Sequence, residues 1–149
     1  MIIAVDPGQT CGWAMADFGD GHFTPEGIVA GQAVADDWED WCAANVSARC
    51  TVVVEKFMIT ARTAELSPQP RAIEVTGVMK FIARRTGATF IGSQTPSAAK
   101  KFASDTQLKK VGLWCPGQDH ARDAIRHLLL AIATQSDGQA RQEMLQSLA

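Results

Sequence analysis

Residues 1–19 read MIIAVDPGQTCGWAMADFG. The apolar run IIAV at 2–5 has the look of a short buried strand. It ends on Asp6, and Pro7-Gly8 turns the chain at once. Asp-Pro-Gly makes a good turn by itself. Two readings therefore stand: a plain turn, or a carboxylate placed at a strand end as part of a charged site. Only partners for Asp6 elsewhere in the chain can decide between them.

Working outward, residues 12–17 suggest a second strand, with GDGH as the turn after it. Residues 22–33 suggest a third, interrupted by Pro25. The opening is thus an antiparallel meander. Residues 34–48 carry Val34, Trp38, Trp41 and Val46 at helical spacing. TVVVE at 51–55 is a β-branched strand that closes on Glu55. Residues 60–72, with two prolines, suggest a loop. Residues 73–86 suggest a helix with basic residues at its C-terminal end, and GATFIG at 87–92 another strand. Thr95-Pro96 and Ser104 suggest the starts of two short helices. DHARDAIRHLLLAIATQ at 119–135 is strongly helical, and residues 136–149 form a polar tail that suits a short helix or a frayed end. The order implies one α/β domain over residues 1–149. Its central mixed sheet has five strands, three antiparallel at the N-terminus and two further parallel, flanked by helices.

Composition narrows the function classes. The chain has 149 residues, 46% of them hydrophobic, which suits one domain with a real core. The formal net charge of -2 hides an asymmetry. Residues 1–55 hold nine acids and one base, whereas residues 56–126 hold twelve bases and five acids. A basic middle inside a near-neutral total can present a local patch to a phosphate backbone. The four cysteines show no CxxC spacing, so a zinc site and a disulfide framework are both disfavoured. The longest apolar run, HLLLAIA, is too short to span a bilayer, and MII lacks a basic leader segment. A reducing, cytoplasmic setting without membrane attachment is expected.

Two apolar strands therefore end on carboxylates, Asp6 and Glu55. A half-buried carboxylate must be paired, hydrogen-bonded or bound to metal. If the strands are neighbours, the two acids face one another, and each raises the other's pKa unless a cation intervenes. The helix at 119–135 offers a third acid. His120 and Asp123 are i,i+3 and Asp119 and Asp123 are i,i+4, so each pair shares a face, while Ala124, Leu128 and Ala131 can pack on the sheet. Asp119 also suits a plain helix cap, and His120 a surface position.

In this order and with these flanks, the motifs resemble those of the RuvC-type Holliday junction resolvases, within the ribonuclease H-like fold. The matching stretches are IAVDPGQTCGWA, VVVEKF and HARDAIRHLLLAI, with GATFIGSQTPSAAKKFASD as a fourth, together covering roughly residues 1–135. Cys11 departs from the pattern by separating Thr10 from Gly12-Trp13, and a histidine stands where part of the family has an aspartate. The resemblance implies catalytic and metal-binding roles for Asp6, Glu55, His120 and Asp123, with Asp119 as a further metal candidate. Carboxylates at a sheet mouth suit magnesium, with manganese as a substitute. Two such ions about 4 Å apart can activate water and steady the leaving oxygen.

The resemblance also implies junction contacts from the loop after Glu55, where Lys56, Phe57, Arg62 and Arg71 are the candidates, and a phosphate contact from Lys100. The basic segment adds Lys101. Phe57 suits either junction stacking or core packing. The implied activity is paired hydrolysis of a four-way DNA junction by a homodimer. Apolar residues Val75, Val78, Met79 and Ile82, on more than one side of their helix, suit a dimer contact or simple burial. Alternatives are a nuclease of RNA–DNA hybrids or other branched DNA, and a non-catalytic junction-binding protein. The actin-like ATPase arrangement also begins with a strand and an aspartate, but it needs two domains around a nucleotide, and 149 residues hold one.

Overall fold

The computed structural model describes residues 1–19, 21–61, 70–136 and 138–149. Five strands form one sheet: β1 (Ile2–Asp6), β2 (Thr10–Ala16), β3 (Val29–Val34), β4 (Thr51–Val54) and β5 (Thr89–Ile91). Their order across the sheet is β3-β2-β1-β4-β5. The β1–β2 and β2–β3 pairs are antiparallel, and the β1–β4 and β4–β5 pairs are parallel. The expected mixed sheet is present. Its centre is the short apolar β1, buried along its whole length, with the β-branched β4 beside it. Such continuous apolar strands are what burial on both faces demands.

Alternation along the strands sorts the core into two layers. Ile3, Val5, Cys11, Val52 and Val54 point to one face, where α1 (Trp38–Asn45) and α2 (Pro70–Thr86) cover them through Trp38, Cys42, Val75 and Met79. Ile2, Ala4, Ala14, Ala16 and Val53 point to the other face. There α5 (Asp119–Gln135) lies across the sheet with Ala124, Ile125, Leu128, Leu129 and Ile132 buried. The alanines of β1 and β2 leave room for that helix to come close. Two short helices, α3 (Pro96–Phe102) and α4 (Asp105–Lys110), and the terminal α6 (Gln139–Leu148) complete this layer. Thr95 and Ser104 cap α3 and α4 as their sequence positions suggest, the latter in a capping box with Gln107.

Several boundaries differ from the sequence reading. The third strand starts at Val29, because Pro25 opens a 3-10 turn over Pro25–Gly27 instead of sitting in a strand. A second 3-10 turn, Ala35–Asp37, precedes α1, so that helix is shorter than 34–48. Helix α2 begins at Pro70, where proline suits a first turn, and not at residue 73. Most of the expected loop, residues 62–69, lies outside the described residues, and Arg62 with it. Val75 and Met79 are buried in the α1 side of the core, and Val78 and Ile82 pack against it half-buried. The exposed apolar residues of α2 are Ile73 and Phe81.

Candidate functional site: carboxylates at the end of the sheet

Parallel pairing of β1 with β4 brings Asp6 and Glu55 to the same end of the sheet. The Glu55 amide donates to the Val5 carbonyl at 2.9 Å, which extends the ladder one residue past β4. Alternation then puts both acids on the face covered by α5, since Asp6 follows Ile2 and Ala4, and Glu55 follows Val53. The strand-end placement is therefore a direct result of register.

Gly12 and Gln32 decide how α5 meets this end. Asp6 pairs with Gly12 across β1 and β2, and Gly12 pairs with Gln32 across β2 and β3. The first turn of α5 rests directly on Gly12: a β-carbon there would stand 1.9 Å from the His120 carbonyl oxygen. Gln32 reaches the same turn, its Oε1 accepting from the His120 amide at 3.1 Å. Gln118, the residue before the helix, provides no side-chain cap, so the sheet does so. Seated this way, His120 Nδ1 donates to Asp6 Oδ2 at 2.7 Å.

One turn further, Asp123 faces cations. Lys100 Nζ of α3 is 3.2 Å from its Oδ2, and Arg126 takes its Oδ1. Arg126 is buried and also holds Asp105 and the Ala103 carbonyl. Beyond Asp123 opens a cleft of about 530 Å³, lined by Lys100, Asp105, Asp119, Arg122, Asp123 and Arg126. Asp119 is the first helical residue, exposed and paired with Arg122, and so does not join Asp6. A second cavity, about 350 Å³, adjoins Glu55 and is lined partly by Lys56, Phe57, Ile59, Ile73 and Phe90. Phe57 is half-buried there, while Lys56 and Lys101 are exposed. Arg71 lies elsewhere: it is bound to Asp36 and Glu74 beside α1, on the opposite face of the sheet.

Glu55 has a partner that the sequence reading missed. His127, 1% exposed, donates from Nε2 to Glu55 Oε2 at 2.7 Å. Its other nitrogen meets Gln94. The signal was in the spacing: His127 is four residues after Asp123 and seven after His120, on the same stripe of one helix. Gln32, Gln94 and Arg126 were missed too, as polar residues with no motif around them.

The electrostatics follow from crowding. Burial pushes the Asp6 carboxyl up from its ordinary value; the His120 hydrogen bond opposes this, and the charges of Glu55 and Asp123 add to it. His120 is also raised, first by its hydrogen bond to Asp6, then by the charges of Asp6, Asp123 and Asp119 acting against burial. Both groups hold a proton more readily folded than unfolded, so both signs agree. The His120 share of stability is full below the ordinary 6.5 and is lost as pH rises through its higher folded value. The Asp6 share is a penalty, which grows as pH rises through the raised carboxyl value. Thermal denaturation of wild type and His120→Gln should therefore show a stability gap that narrows as pH rises above 6.5. A gap independent of pH would contradict the pairing. The cysteines take no part: all four are free, and burial pushes the Cys42 thiol up to about 12.

Three carboxylates and an imidazole are oxygen-rich donors of the kind that hard divalent ions prefer. Burial is the main cause of the raised Asp6, and the charges of Glu55 and Asp123 add to it. As the side chains stand, however, no three ligating groups surround one point among the described residues. His120 occupies Asp6, Lys100 and Arg126 occupy Asp123, and His127 occupies one oxygen of Glu55. No helix among the described residues is long and apolar enough to cross a membrane. No protein-family model matches the chain, and no curated protein matches it significantly.

Proposed function

We propose that this chain is a metal-dependent, structure-selective endodeoxyribonuclease of ribonuclease H-like fold, acting on four-way DNA junctions. One observation carries the reading. Parallel β1 and β4 deliver Asp6 and Glu55 to one sheet end, on the face where the first turns of α5 bring His120 and Asp123. A merely structural turn at Asp-Pro-Gly would need no such company.

Asp6, Glu55, His120 and Asp123 would hold magnesium or manganese, one ion or two. When bound, such ions lower the pKa of water and stabilise the departing oxygen in phosphodiester hydrolysis. The protein's own contribution is placement. β1 and β4 hold the two carboxylate-bearing backbones in fixed register, so the rearrangement a metal would require is confined to side chains, with His120 leaving Asp6 and Lys100 and Arg126 leaving Asp123. Lys100, 3.2 Å from Asp123, is a cation that can move from a carboxylate to a scissile phosphate. His120, already protonated more readily than an ordinary imidazole, can hold a proton beside Asp6 or contact a phosphate oxygen.

Binding to DNA should run through the phosphate backbone. Lys100 and Arg122 line the cleft, Lys101 on α3 and Lys109 and Lys110 on α4 add charge to the neighbouring short helices, and Lys56 flanks Glu55. No helix of a sequence-reading type is apparent among the described residues, so shape and charge carry recognition. The logarithm of affinity should fall by about 0.9 per neutralised phosphate for each tenfold rise in salt. A junction-binding titration that stays flat between low and moderate salt would remove this part of the account. Two symmetric nicks in a junction call for two sites, so a two-fold homodimer is part of the proposal.

The test of the reading as a whole is cleavage of a four-way junction in magnesium, in manganese and in EDTA. Cutting in both metals and none in EDTA supports it. Undiminished cutting in EDTA overturns it.

A further inference from the structure

The geometry points to Gln94 and His127 as a positioning chain that sets Glu55, one that rests on the reading of Glu55 as a metal-facing carboxylate. His127 is buried within α5, and both of its ring nitrogens are engaged. Gln94 follows β5, and its carboxamide orientation is settled by its neighbours. With the amide nitrogen toward the ring, it donates to His127 Nδ1 at 2.9 Å and to the His127 carbonyl at 3.1 Å. Its oxygen then accepts from the Ala131 amide at 3.2 Å. The opposite orientation would set oxygen against carbonyl oxygen and nitrogen against an amide donor.

A donor on Nδ1 makes that nitrogen the acceptor. The ring proton must then sit on Nε2, aimed at Glu55 Oε2 at 2.7 Å. One oxygen of Glu55 is thereby held. The second oxygen remains for a cation or for the reacting centre near Asp6. Gln94 is itself held: the Lys56 amide donates to its carbonyl at 2.7 Å. The chain of contacts thus starts and ends in the loop that carries Glu55, and it passes through the core of α5. This arrangement parallels the outer contacts that orient metal-binding side chains in general, whose loss typically costs 10–100-fold in metal affinity. His127 and Gln94 act through Glu55 and do not themselves touch substrate.

The test has two readouts on the full chain. Nitrogen-15 NMR of the histidine rings reports the tautomer, and Mn2+ alone, titrated by electron paramagnetic resonance, reports the site. Wild type should show His127 as the neutral Nε2–H tautomer, and Gln94→Met should release the ring into mixed tautomers. His127→Leu should weaken Mn2+ binding by roughly tenfold to a hundredfold. His127→Gln, which places an amide donor near the Nε2 position, should restore most of the loss. Gln94→Met supplies the affinity arm should His127→Leu fail to fold. An Nδ1–H tautomer in wild type overturns the proposal, and so does Mn2+ affinity unchanged in both His127→Leu and Gln94→Met. If wild type itself binds no Mn2+, the metal reading of the site fails, and the tautomer alone decides whether the positioning chain exists.

Discussion

Asp6→Asn should lower cleavage of a four-way junction by roughly a thousandfold or more, while junction affinity and fold persist. The size follows from losing several kcal/mol of charge stabilisation at the reacting centre, at about tenfold per 1.4 kcal/mol. Asparagine keeps the shape of aspartate and one acceptor for His120. What goes is a negative charge that is 7% exposed and stands near Glu55 and Asp123. Because burial and those charges disfavour the ionised form, the metal-free variant should melt no lower than wild type. Activity and melting temperature would thus move independently. Loss of both together would mark Asp6 as a structural residue.

Gly12→Ala should be the most damaging alanine substitution among the glycines of the chain. Its β-carbon would meet backbone, 1.9 Å from the His120 oxygen and 2.1 Å from the His120 carbonyl carbon. Backbone cannot rotate aside as a side chain does, so the first turn of α5 must lift off β2. Overpacking typically costs 1–3 kcal/mol, and a clash with main chain should reach about 3 kcal/mol or more. Lifting the turn also withdraws His120 from Asp6 and Gln32, so cleavage should fail even in molecules that remain folded. Gly77→Ala is the control: it sits in α2 with nothing within 4 Å of the new carbon. There alanine should stabilise by about 0.5–1 kcal/mol through helix propensity. Urea denaturation of both variants measures the contrast, and similar midpoints would refute the close packing at Gly12.

The sheet was legible because its strands are short, apolar and sharply bounded. IIAVD and TVVVE declare both their burial and their charged ends. Period-two alternation then gives the shared face of Asp6 and Glu55 once the strands are neighbours, which the parallel pairing supplies. Helix α5 was equally plain, from His120 and Asp123 down its apolar stripe. The third strand was less so: Pro25 reads as an interruption, and only tertiary pairing with β2 shows that the strand begins at Val29. Lys100 could not be placed by spacing, because its approach to Asp123 depends on how α3 packs against α5.

The supporting residues were the least visible. Gln32, Gln94 and His127 are ordinary in sequence, and their importance arises from contacts spanning 88, 33 and 72 residues. Arg71 shows the converse. Its place after Glu55 in the sequence made it a candidate junction contact, and the folded chain pairs it with Asp36 and Glu74 beside α1. Charge counts along a sequence describe a supply of cations and not their destinations.

The most direct measurement of the central claim is one cleavage panel at fixed magnesium, with Asp6→Asn beside wild type. The substrates are a four-way junction, a flap, linear duplex DNA and an RNA–DNA hybrid, and mass is followed by light scattering. The account predicts paired symmetric nicks in the junction by wild type at a dimer mass, little cutting of linear duplex, and none by Asp6→Asn. A monomer that prefers the hybrid, or a protein that binds the junction and cuts nothing, would contradict it.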